Sequence, residues 1–268
     1  MPIGLIIIGD EILSGKRIDK HFPKVLELLK ARGLQLDWAE YLGDDPARIT
    51  ATLKRTMATN DIVFCTGGIG ATPDDHTRQC AAAALGVPLV LHPEAKTKIE
   101  ERMADVARET GKTVDFNAPD NLHRLKMGEF PQGAEIIPNP YNKIPGFYIC
   151  HNESGAHYFT PGFPVMAWPM IEWVLDTHYP HLFRQAAWAE KSVLVFGLAE
   201  STLTPLMEAI EVEFPLVKVF SLPSVGDANI RRHIELGVKG EPVRVGEAFV
   251  KLLAGLDRFD AKYQHVNH

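Results

Sequence analysis

Through about its first 90 residues, the chain alternates between unbroken apolar runs and segments with helical spacing. The run Ile3–Ile8 is typical of a strand buried on both faces of a parallel sheet. Apolar positions with helical spacing follow it and end at Gly33, and Leu34–Leu42 then alternates like a strand. A helix to about Ala58 and a third apolar run, Asp61–Cys65, come next. This β-α-β-α-β-α order predicts an α/β fold, with helices on both faces of a mostly parallel sheet.

The pattern continues with shorter elements to about residue 178. We expect a helix from Pro93 to about Arg108 and a helix that ends near Thr177, and the segment Thr113–Phe130 between them is polar. Short strands are predicted at Ala134–Pro138, Phe147–Cys150 and His157–Thr160. Residues 1–178 therefore form one predicted α/β domain.

The pattern changes after Tyr179–Ala189, which we interpret as a linker. Strands are predicted at Lys191–Phe196, Val217–Leu222 and Ile230–Val238, and helices at Glu200–Glu213 and Glu241–Leu256. This β-α-β-β-α order over residues 190–262 predicts a small α+β domain of ferredoxin-like or KH-like shape. The last residues, Gln264–His268, are expected to fray.

Composition and charge narrow the function classes. The 268 residues are 46% hydrophobic and 23% charged, as in globular proteins, and the formal net charge is −6. This charge argues against a nucleic-acid partner or an anionic membrane surface. The three cysteines are far apart and fit a reducing compartment. Because the N-terminal apolar run is too short for a membrane span and has no signal-peptide flank, we expect a cytoplasmic protein.

A glycine-rich loop follows the third apolar run and precedes a helix predicted from about His76 to Leu85. It reads Thr66-Gly67-Gly68-Ile69-Gly70-Ala71-Thr72. A strand, a glycine-rich turn and a helix in this order present backbone N–H groups to an anion, which makes Thr66, Gly67, Gly68, Gly70 and Thr72 candidate phosphate-binding residues. The structural alternative is an ordinary strand-to-helix turn capped by an aspartate.

Acidic residues follow the ends of the predicted strands. Asp74 and Asp75 come after the glycine-rich loop, Asp10 and Glu11 after the first strand, and Asp44 after the second. In an open α/β sheet these ends meet at one edge, where ligands bind. Carboxylates beside a phosphate site indicate a divalent cation between protein and phosphate. A turn and a helix start would equally account for Asp10 and Glu11.

Together these loops resemble those of the molybdopterin-binding (MoCF) fold, and within it the N-terminal part of the competence/damage-inducible protein A (CinA) family. The matching stretches are Gly9-Asp10-Glu11-Ile12-Leu13 with Gly15, Gly43-Asp44, Thr66-Gly67-Gly68-Ile69-Gly70 with Thr72 and Asp74-Asp75, Asn139-Pro140 with Pro145-Gly146-Phe147, and Pro161-Gly162-Phe163-Pro164. The sequence departs from the family pattern at Ala71, where proline is usual, and at His21, where asparagine is usual.

The resemblance implies a three-layer α/β/α molybdopterin-binding fold and chemistry on a diphosphate linkage. CinA-type proteins are associated with metal-dependent cleavage of ADP-ribose, and adenylyltransferases of this fold act in molybdenum cofactor biosynthesis. The sequence has no counterpart of the CinA deamidase domain, so amidohydrolase activity on nicotinamide mononucleotide is not expected. A homo-oligomer is also implied by the resemblance.

We therefore expect a pterin or nucleotide ligand and a nucleotide pyrophosphatase that uses Mg²⁺, Mn²⁺ or Co²⁺. Asp44 and Asp75 are the predicted catalytic carboxylates, and Asp44, Asp74 and Asp75 the predicted metal ligands. Asp10 and Glu11 are expected to assist substrate binding. A molybdopterin adenylyltransferase and a non-catalytic binder of molybdopterin or a nucleotide remain the alternatives, because fold alone does not settle function.

Overall fold

The apolar runs near the N-terminus form the centre of a six-stranded sheet in this computed structural model of the protein. The structure describes residues 1–111, 113–152, 154–183, 189–226 and 231–266. It divides into two units, Met1–Phe183 and Arg184–His268, and each has its own sheet. The boundary lies within the predicted linker, of which residues 184–188 fall outside the described part of the chain.

The first unit alternates strands and helices, as its sequence pattern predicts. Its first elements are β1 (Ile3–Ile8), α1 (Asp10–Leu13), α2 (His21–Ala31), β2 (Trp38–Leu42), α3 (Pro46–Thr56), β3 (Ile62–Thr66), α4 (Thr77–Leu85) and β4 (Leu89–Leu91). They are followed by α5 (Pro93–Glu109), α6 (Pro119–Leu125), β5 (Glu129–Pro131), β6 (Glu135–Ile137), β7 (Gly146–Cys150), β8 (Ala156–Thr160) and α7 (Pro164–His178). The sheet order is β2-β1-β3-β8-β7-β6. The strands β2, β1, β3 and β8 are parallel and β7 is antiparallel to both of its neighbours, so the sheet is mostly parallel, which confirms the predicted α/β fold.

Side-chain alternation along the buried strands builds a core on each face of this sheet. In β1, Leu5 and Ile7 pack into the core that includes α2 and α7, whereas Ile6 and Ile8 pack into the core that includes α3 and α4. All of these side chains are buried, and burying one such side chain contributes about 1.5–3 kcal/mol. A central strand that serves two cores must be apolar at every position, which is why its sequence reads as a continuous run.

The structure corrects one predicted boundary in the first unit and adds a helix that was not predicted. The second strand begins at Trp38 and not at Leu34, because the Asp37 carboxylate accepts the Ile3 N–H at 2.7 Å in place of a backbone carbonyl. The polar segment Thr113–Phe130 contains the added helix, α6, which has a proline in its first turn. No helix in the described part of the chain combines the length and the apolar character needed to cross a membrane.

The second unit is a small α+β domain. It contains β9 (Ala189–Phe196), α8 (Glu200–Glu213), β10 (Val217–Ser224), β11 (His233–Gly240), α9 (Pro242–Arg258) and β12 (Lys262–His265). Its antiparallel sheet has the order β10-β11-β9-β12. A β-α-β-β-α-β chain with the first and third strands side by side is the ferredoxin-like split βαβ arrangement, which favours that shape over the KH-like one.

The expected fraying of Gln264–His268 is wrong for the residues that the structure describes. Gln264 and His265 belong to β12, which pairs with β9, and Tyr263 packs against the core of the unit. Residues 267–268 of that prediction, and Ile230 of the predicted strand, lie outside the described residues. The missed strand is short, and only its partner β9, far away in sequence, specifies it.

Candidate functional site

The loops after β1, β2, β3 and β8 meet at the carboxyl edge of the parallel strands and surround a cavity of about 430 Å³. This volume is in the range of small-molecule sites. The predicted site residues that line the cavity are Glu11, Asp44, Gly67, Gly68, Gly70, Thr72, Asp74 and Asp75. The sheet therefore brings separate segments of the sequence to one place, as expected for an open α/β fold.

The two remaining predicted residues lie outside the lining of the cavity. Thr66 is the last residue of β3 and is buried, and its Oγ1 has no hydrogen-bond partner in the described part of the chain. Asp10 starts α1, and its backbone and side chain both contact Asp44. Their positions support the loops and give no direct contact with the cavity.

The glycine-rich loop has a backbone path that side chains would block. Gly67 has φ +103°, and a Cβ atom there would lie 2.2 Å from the carbonyl oxygen of Ile8. Gly68 has φ +69°, and its Cβ would lie 2.2 Å from Thr77 Oγ1. Both the left-handed conformation and the close approach require glycine at these positions.

The start of α4 holds the carbonyl groups of this loop. Thr77 Oγ1 donates to Gly67 O at 3.0 Å, and the Thr77 backbone N–H donates to Gly68 O at 2.9 Å. The buried guanidinium of Arg78 donates to Gly70 O at 2.6 Å. Because C=O and N–H point in opposite directions in a trans peptide, the next N–H of each peptide points away from α4.

These hydrogen bonds leave a row of free amide groups. Within the residues that the structure describes, the N–H groups of Gly68, Ile69, Gly70 and Ala71 donate no hydrogen bond. All four residues line the cavity, and they precede the N-terminus of α4, which is nine residues long. Consecutive free N–H groups at the start of a helix bind anions, above all phosphate oxygens. The loop therefore forms an amide wall, which we define as residues 68–71.

Carboxylates form another part of the lining, which we call the acidic wall: Glu11, Asp44, Asp74 and Asp75. Asp44 Oδ2 accepts the Asp10 N–H at 2.9 Å, and Asp10 Oδ1 accepts the Asp44 N–H at 3.2 Å. Partial burial raises the pKa of Asp44, and the nearby charges of Asp10, Glu11 and Asp74 raise it further. The acidic wall thus concentrates negative charge that a cation would neutralise.

Asp75 stabilises the glycine-rich loop through hydrogen bonds with Thr72. Its Oδ2 accepts the Thr72 N–H at 2.8 Å and also the Thr72 hydroxyl. The same oxygen would lie 2.5 Å from a Cβ atom at position 70, so Gly70 leaves room for this carboxylate. Asp75 Oδ1 makes no hydrogen bond in the described part of the chain and is free to bind a ligand.

A divalent cation can be held by protein side chains alone or by protein and substrate together. No group of three or more His, Cys, Asp or Glu side chains within the described residues is arranged to hold a metal ion by itself. Mg²⁺ commonly binds through one or two carboxylates and completes its octahedron with water and substrate phosphates. The acidic wall next to free amides fits this second kind of site, in which metal and phosphate bind together.

Several residues of the cavity were not among the candidate site residues. Arg17 is the only lysine or arginine among the described lining residues, and the ring of Phe163 also borders the cavity. Asn139 and Asn142 line it as well, and a 2.8 Å hydrogen bond joins their side chains. The position of Arg17, a single cation shortly after the acidic loop Asp10-Glu11, was the signal that could have identified it.

His21, one of the two departures from the family pattern, supports the wall of the cavity formed by residues 161–163. It is buried, and its Nε2 donates to the Gly162 carbonyl at 3.0 Å. Burial lowers the pKa of His21, and the hydrogen bond to Gly162 opposes this effect. The neutral ring thus donates to this loop from the position where asparagine is usual in the family.

The other departure, Ala71, lies in the lining of the cavity itself. Its carbonyl accepts a 2.9 Å hydrogen bond from His123 Nε2, on α6. An alanine keeps the backbone N–H that a proline would lack, which adds one donor to the amide wall.

Comparison with known proteins places these features in a family. A family model described as "Probable molybdopterin binding domain" matches residues 4–181, which include every loop around the cavity. A CinA-like protein from Syntrophotalea carbinolica is 33% identical over 238 residues, which are 85% of this chain and 55% of that protein. A CinA-like protein from an Anaeromyxobacter species is 35% identical over 251 residues, 92% of this chain and 52% of that protein.

The chain spans about half the length of the curated relatives that it matches. Among solved structures, the crystal structure of the protein CinA of unknown function from Thermoplasma acidophilum superposes with a TM-score of 0.56 and 23% sequence identity. That alignment covers 66% of this chain and 98% of the other. The structural likeness supports the fold alone.

Proposed function

Because this chain belongs to the molybdopterin-binding domain family and is a CinA-like member of it, we propose that it is a metal-dependent nucleotide pyrophosphatase. The proposed reaction is hydrolysis of a diphosphate linkage, with ADP-ribose as the model substrate. Water attacks one phosphorus, the bond from that phosphorus to the bridging oxygen breaks, and AMP and ribose 5-phosphate are formed. Proton release to solvent balances the charges of the two phosphate products.

One observation carries this proposal: the amide wall and the acidic wall face a single cavity. Free amides at Gly68, Ile69, Gly70 and Ala71 favour an anion, whereas the carboxylates favour a cation. A diphosphate with its bound metal ion carries both charges and satisfies both walls. A plain phosphate would meet repulsion from the carboxylates, and a free metal ion would leave the amides unpaired.

Each wall has a role in the proposed reaction. The amides hold the non-bridging oxygens of one phosphate and stabilise the charge that grows on them in the transition state. Asp44 and Asp75 hold the divalent cation, which when bound polarises the phosphoryl group and neutralises its oxygens. A carboxylate of the acidic wall accepts a proton from the attacking water.

The direct test is AMP release from ADP-ribose with Mg²⁺, Mn²⁺ or Co²⁺ and with a chelator. Metal-dependent release should fall by roughly two orders of magnitude or more in Asp75→Asn, whose amide keeps the shape of the loop. Asp260→Asn is the matched control, because Asp260 is exposed in the second unit and asparagine tolerates its φ of +52°.

The other outcomes would assign a different function. Turnover of a pterin with ATP, without ADP-ribose cleavage, would identify a molybdopterin adenylyltransferase. If a ligand binds but is not turned over with any metal, and if Asp75→Asn leaves its affinity unchanged, the protein is a non-catalytic binder. That result would reject the pyrophosphatase.

A further inference from the structure

Arg17 and Phe163 are among the lining residues outside the amide and acidic walls. The guanidinium carbon of Arg17 lies 6.0 Å from the centroid of the Phe163 ring, and both side chains border the cavity. That distance is at the outer limit of a cation–π contact, so the two groups face each other without close packing. The gap between them is the feature that needs an explanation.

The Phe163 ring is exposed, yet its backbone is firmly held. The side chain is 55% exposed, whereas the Phe163 carbonyl accepts the N–H groups of Met166 and Ala167 at the start of α7, each at 2.9 Å. The preceding carbonyl, of Gly162, is the one held by His21. A fixed backbone presents an apolar ring at the edge of the cavity with little conformational freedom to lose on binding.

The Arg17 side chain is exposed at the edge of the cavity. Its backbone N–H donates to Glu11 O at 3.0 Å, but its guanidinium forms no hydrogen bond or ion pair with any residue that the structure describes. A flat guanidinium stacks well on aromatic rings and keeps its N–H donors free at its edge. The planar face of Arg17 is therefore available to a ligand.

We propose that Arg17 and Phe163 form a clamp that holds the planar fused ring of the diphosphate substrate. A flat ring needs about 3.5 Å on each face, or about 7 Å in all, so an opening of about 1 Å beyond the present gap admits it. The ligand class is a fused heteroaromatic ring joined to a diphosphate, as in a purine nucleotide. A pterin ring has the same shape. The inference rests on the proposed function, because the amide wall must hold the diphosphate of the same molecule.

The test compares two ligands with the same non-cleavable diphosphate. Calorimetry in excess Mg²⁺ measures binding of α,β-methylene-ADP, which carries adenosine, and of methylenediphosphonate, which has no ring. Phe163→Ala should weaken α,β-methylene-ADP binding by roughly 5- to 100-fold, the usual contribution of a stacked base, and leave methylenediphosphonate binding unchanged. Phe163→Tyr should retain most of the affinity, and Phe116→Ala, an exposed phenylalanine outside the lining, should change neither ligand.

Arg17→Lys separates the planar face from the charge. It should weaken α,β-methylene-ADP binding and leave methylenediphosphonate binding nearly unchanged, because lysine keeps the charge but has no plane to stack. The same variants are also titrated with neopterin, which carries a pterin ring. If Phe163→Ala weakens the binding of neopterin but not that of α,β-methylene-ADP, the ligand of the clamp is a pterin.

The two hypotheses fail in different ways. If methylenediphosphonate binds and Phe163→Ala leaves the affinity of α,β-methylene-ADP and neopterin unchanged, the clamp is rejected and the diphosphate site stands. If neither diphosphate ligand binds to the wild type, the proposed function is rejected, and the clamp, which rests on it, is rejected too.

Discussion

The amide wall and the acidic wall of the cavity are built in opposite ways. In the amide wall, Thr77 and Arg78 hold the loop carbonyls, so that the N–H groups of residues 68–71 have no partner in the described part of the chain. In the acidic wall, carboxylates lie close enough to raise the pKa of Asp44. One wall lacks acceptors and the other has excess negative charge. Their difference indicates a ligand with both kinds of charge, and all but the last of the variants below alter one wall while leaving the other intact.

The largest effect is expected for Gly67→Ala, which disrupts the amide wall. The new Cβ would meet Ile8 O at 2.2 Å, so the loop must move. A displacement of this kind costs roughly 100-fold or more in activity, and the strain costs about 1–3 kcal/mol of stability. AMP release measures the effect on activity, thermal unfolding the effect on stability, and calorimetry with methylenediphosphonate shows whether diphosphate binding is lost.

Gly133→Ala is the control for Gly67→Ala. Gly133 has a similar φ of +89°, but a Cβ there meets nothing within 4 Å, so only the backbone strain is shared. Normal diphosphate binding by Gly67→Ala would show that the loop does not form the binding wall.

The next effect is expected for Asp44→Asn, which neutralises part of the acidic wall. Metal-dependent turnover should fall by roughly 100-fold, whereas metal-free binding of methylenediphosphonate should be equal or tighter, because repulsion is removed. Steady-state assays would measure turnover, and calorimetry in the presence of a chelator would measure metal-free binding. Weaker metal-free binding would contradict the separation of the two walls.

Asp44→Asn should also change the pH dependence of stability. The folded state raises the pKa of Asp44, so the folded protein binds this proton more tightly than the unfolded chain does. The wild type therefore loses stability as the pH rises from below the unfolded pKa of about 3.9 through the raised folded value. The variant should be the more stable protein at pH 7 and lose this advantage at low pH. Unfolding midpoints at pH 3.5 and 7 provide the measurement.

A smaller effect is expected for Thr77→Val, which leaves the Gly67 carbonyl without its side-chain donor. The loss of this buried hydrogen bond should cost about 1–3 kcal/mol of stability and weaken methylenediphosphonate binding severalfold, since the amide wall loses its support. Thr77→Ser retains the hydroxyl and should bind like the wild type. Equal binding by the valine and serine variants would mean that Thr77 does not orient the amides.

The smallest effect is expected for His21→Asn, which acts on neither wall directly. Burial lowers the pKa of His21 below 6.5, so the unfolded chain takes up a proton first as the pH falls. His21 therefore makes the wild type lose stability as the pH falls from about 6.5 toward that lowered pKa. Urea unfolding at pH 7.5 and 5 should show a weaker pH dependence in the variant. The idea fails if the variant keeps the pH dependence of the wild type.

The fold and the amide wall were accessible from sequence because local patterns specify them. A continuous apolar strand, a helical spacing and a glycine run can each be recognised within one short segment of the sequence. The sequence placed Gly67, Gly68 and Gly70 in a loop before a helix, and the structure adds that Thr77 and Arg78 turn its amides outward.

The rest of the site depends on contacts between distant segments. The paired hydrogen bonds of Asp10 and Asp44 exist because β1 and β2 run parallel in one register. Arg17 and Phe163 face each other only after β1 and β8 end at the same edge of the sheet. The strand β12 was missed for the same reason, because its pairing with β9 determines it more than its own residues do.

The most direct test of the central claim measures how metal and diphosphate affect each other's binding. Methylenediphosphonate is titrated into the wild type and into Asp44→Asn, with excess Mg²⁺ and with a chelator. If the cavity binds the metal and the diphosphate together, Mg²⁺ should tighten binding to the wild type by roughly tenfold or more and have much less effect in Asp44→Asn. Equal affinity with and without Mg²⁺ in the wild type would contradict the claim that the two walls share one metal–diphosphate ligand.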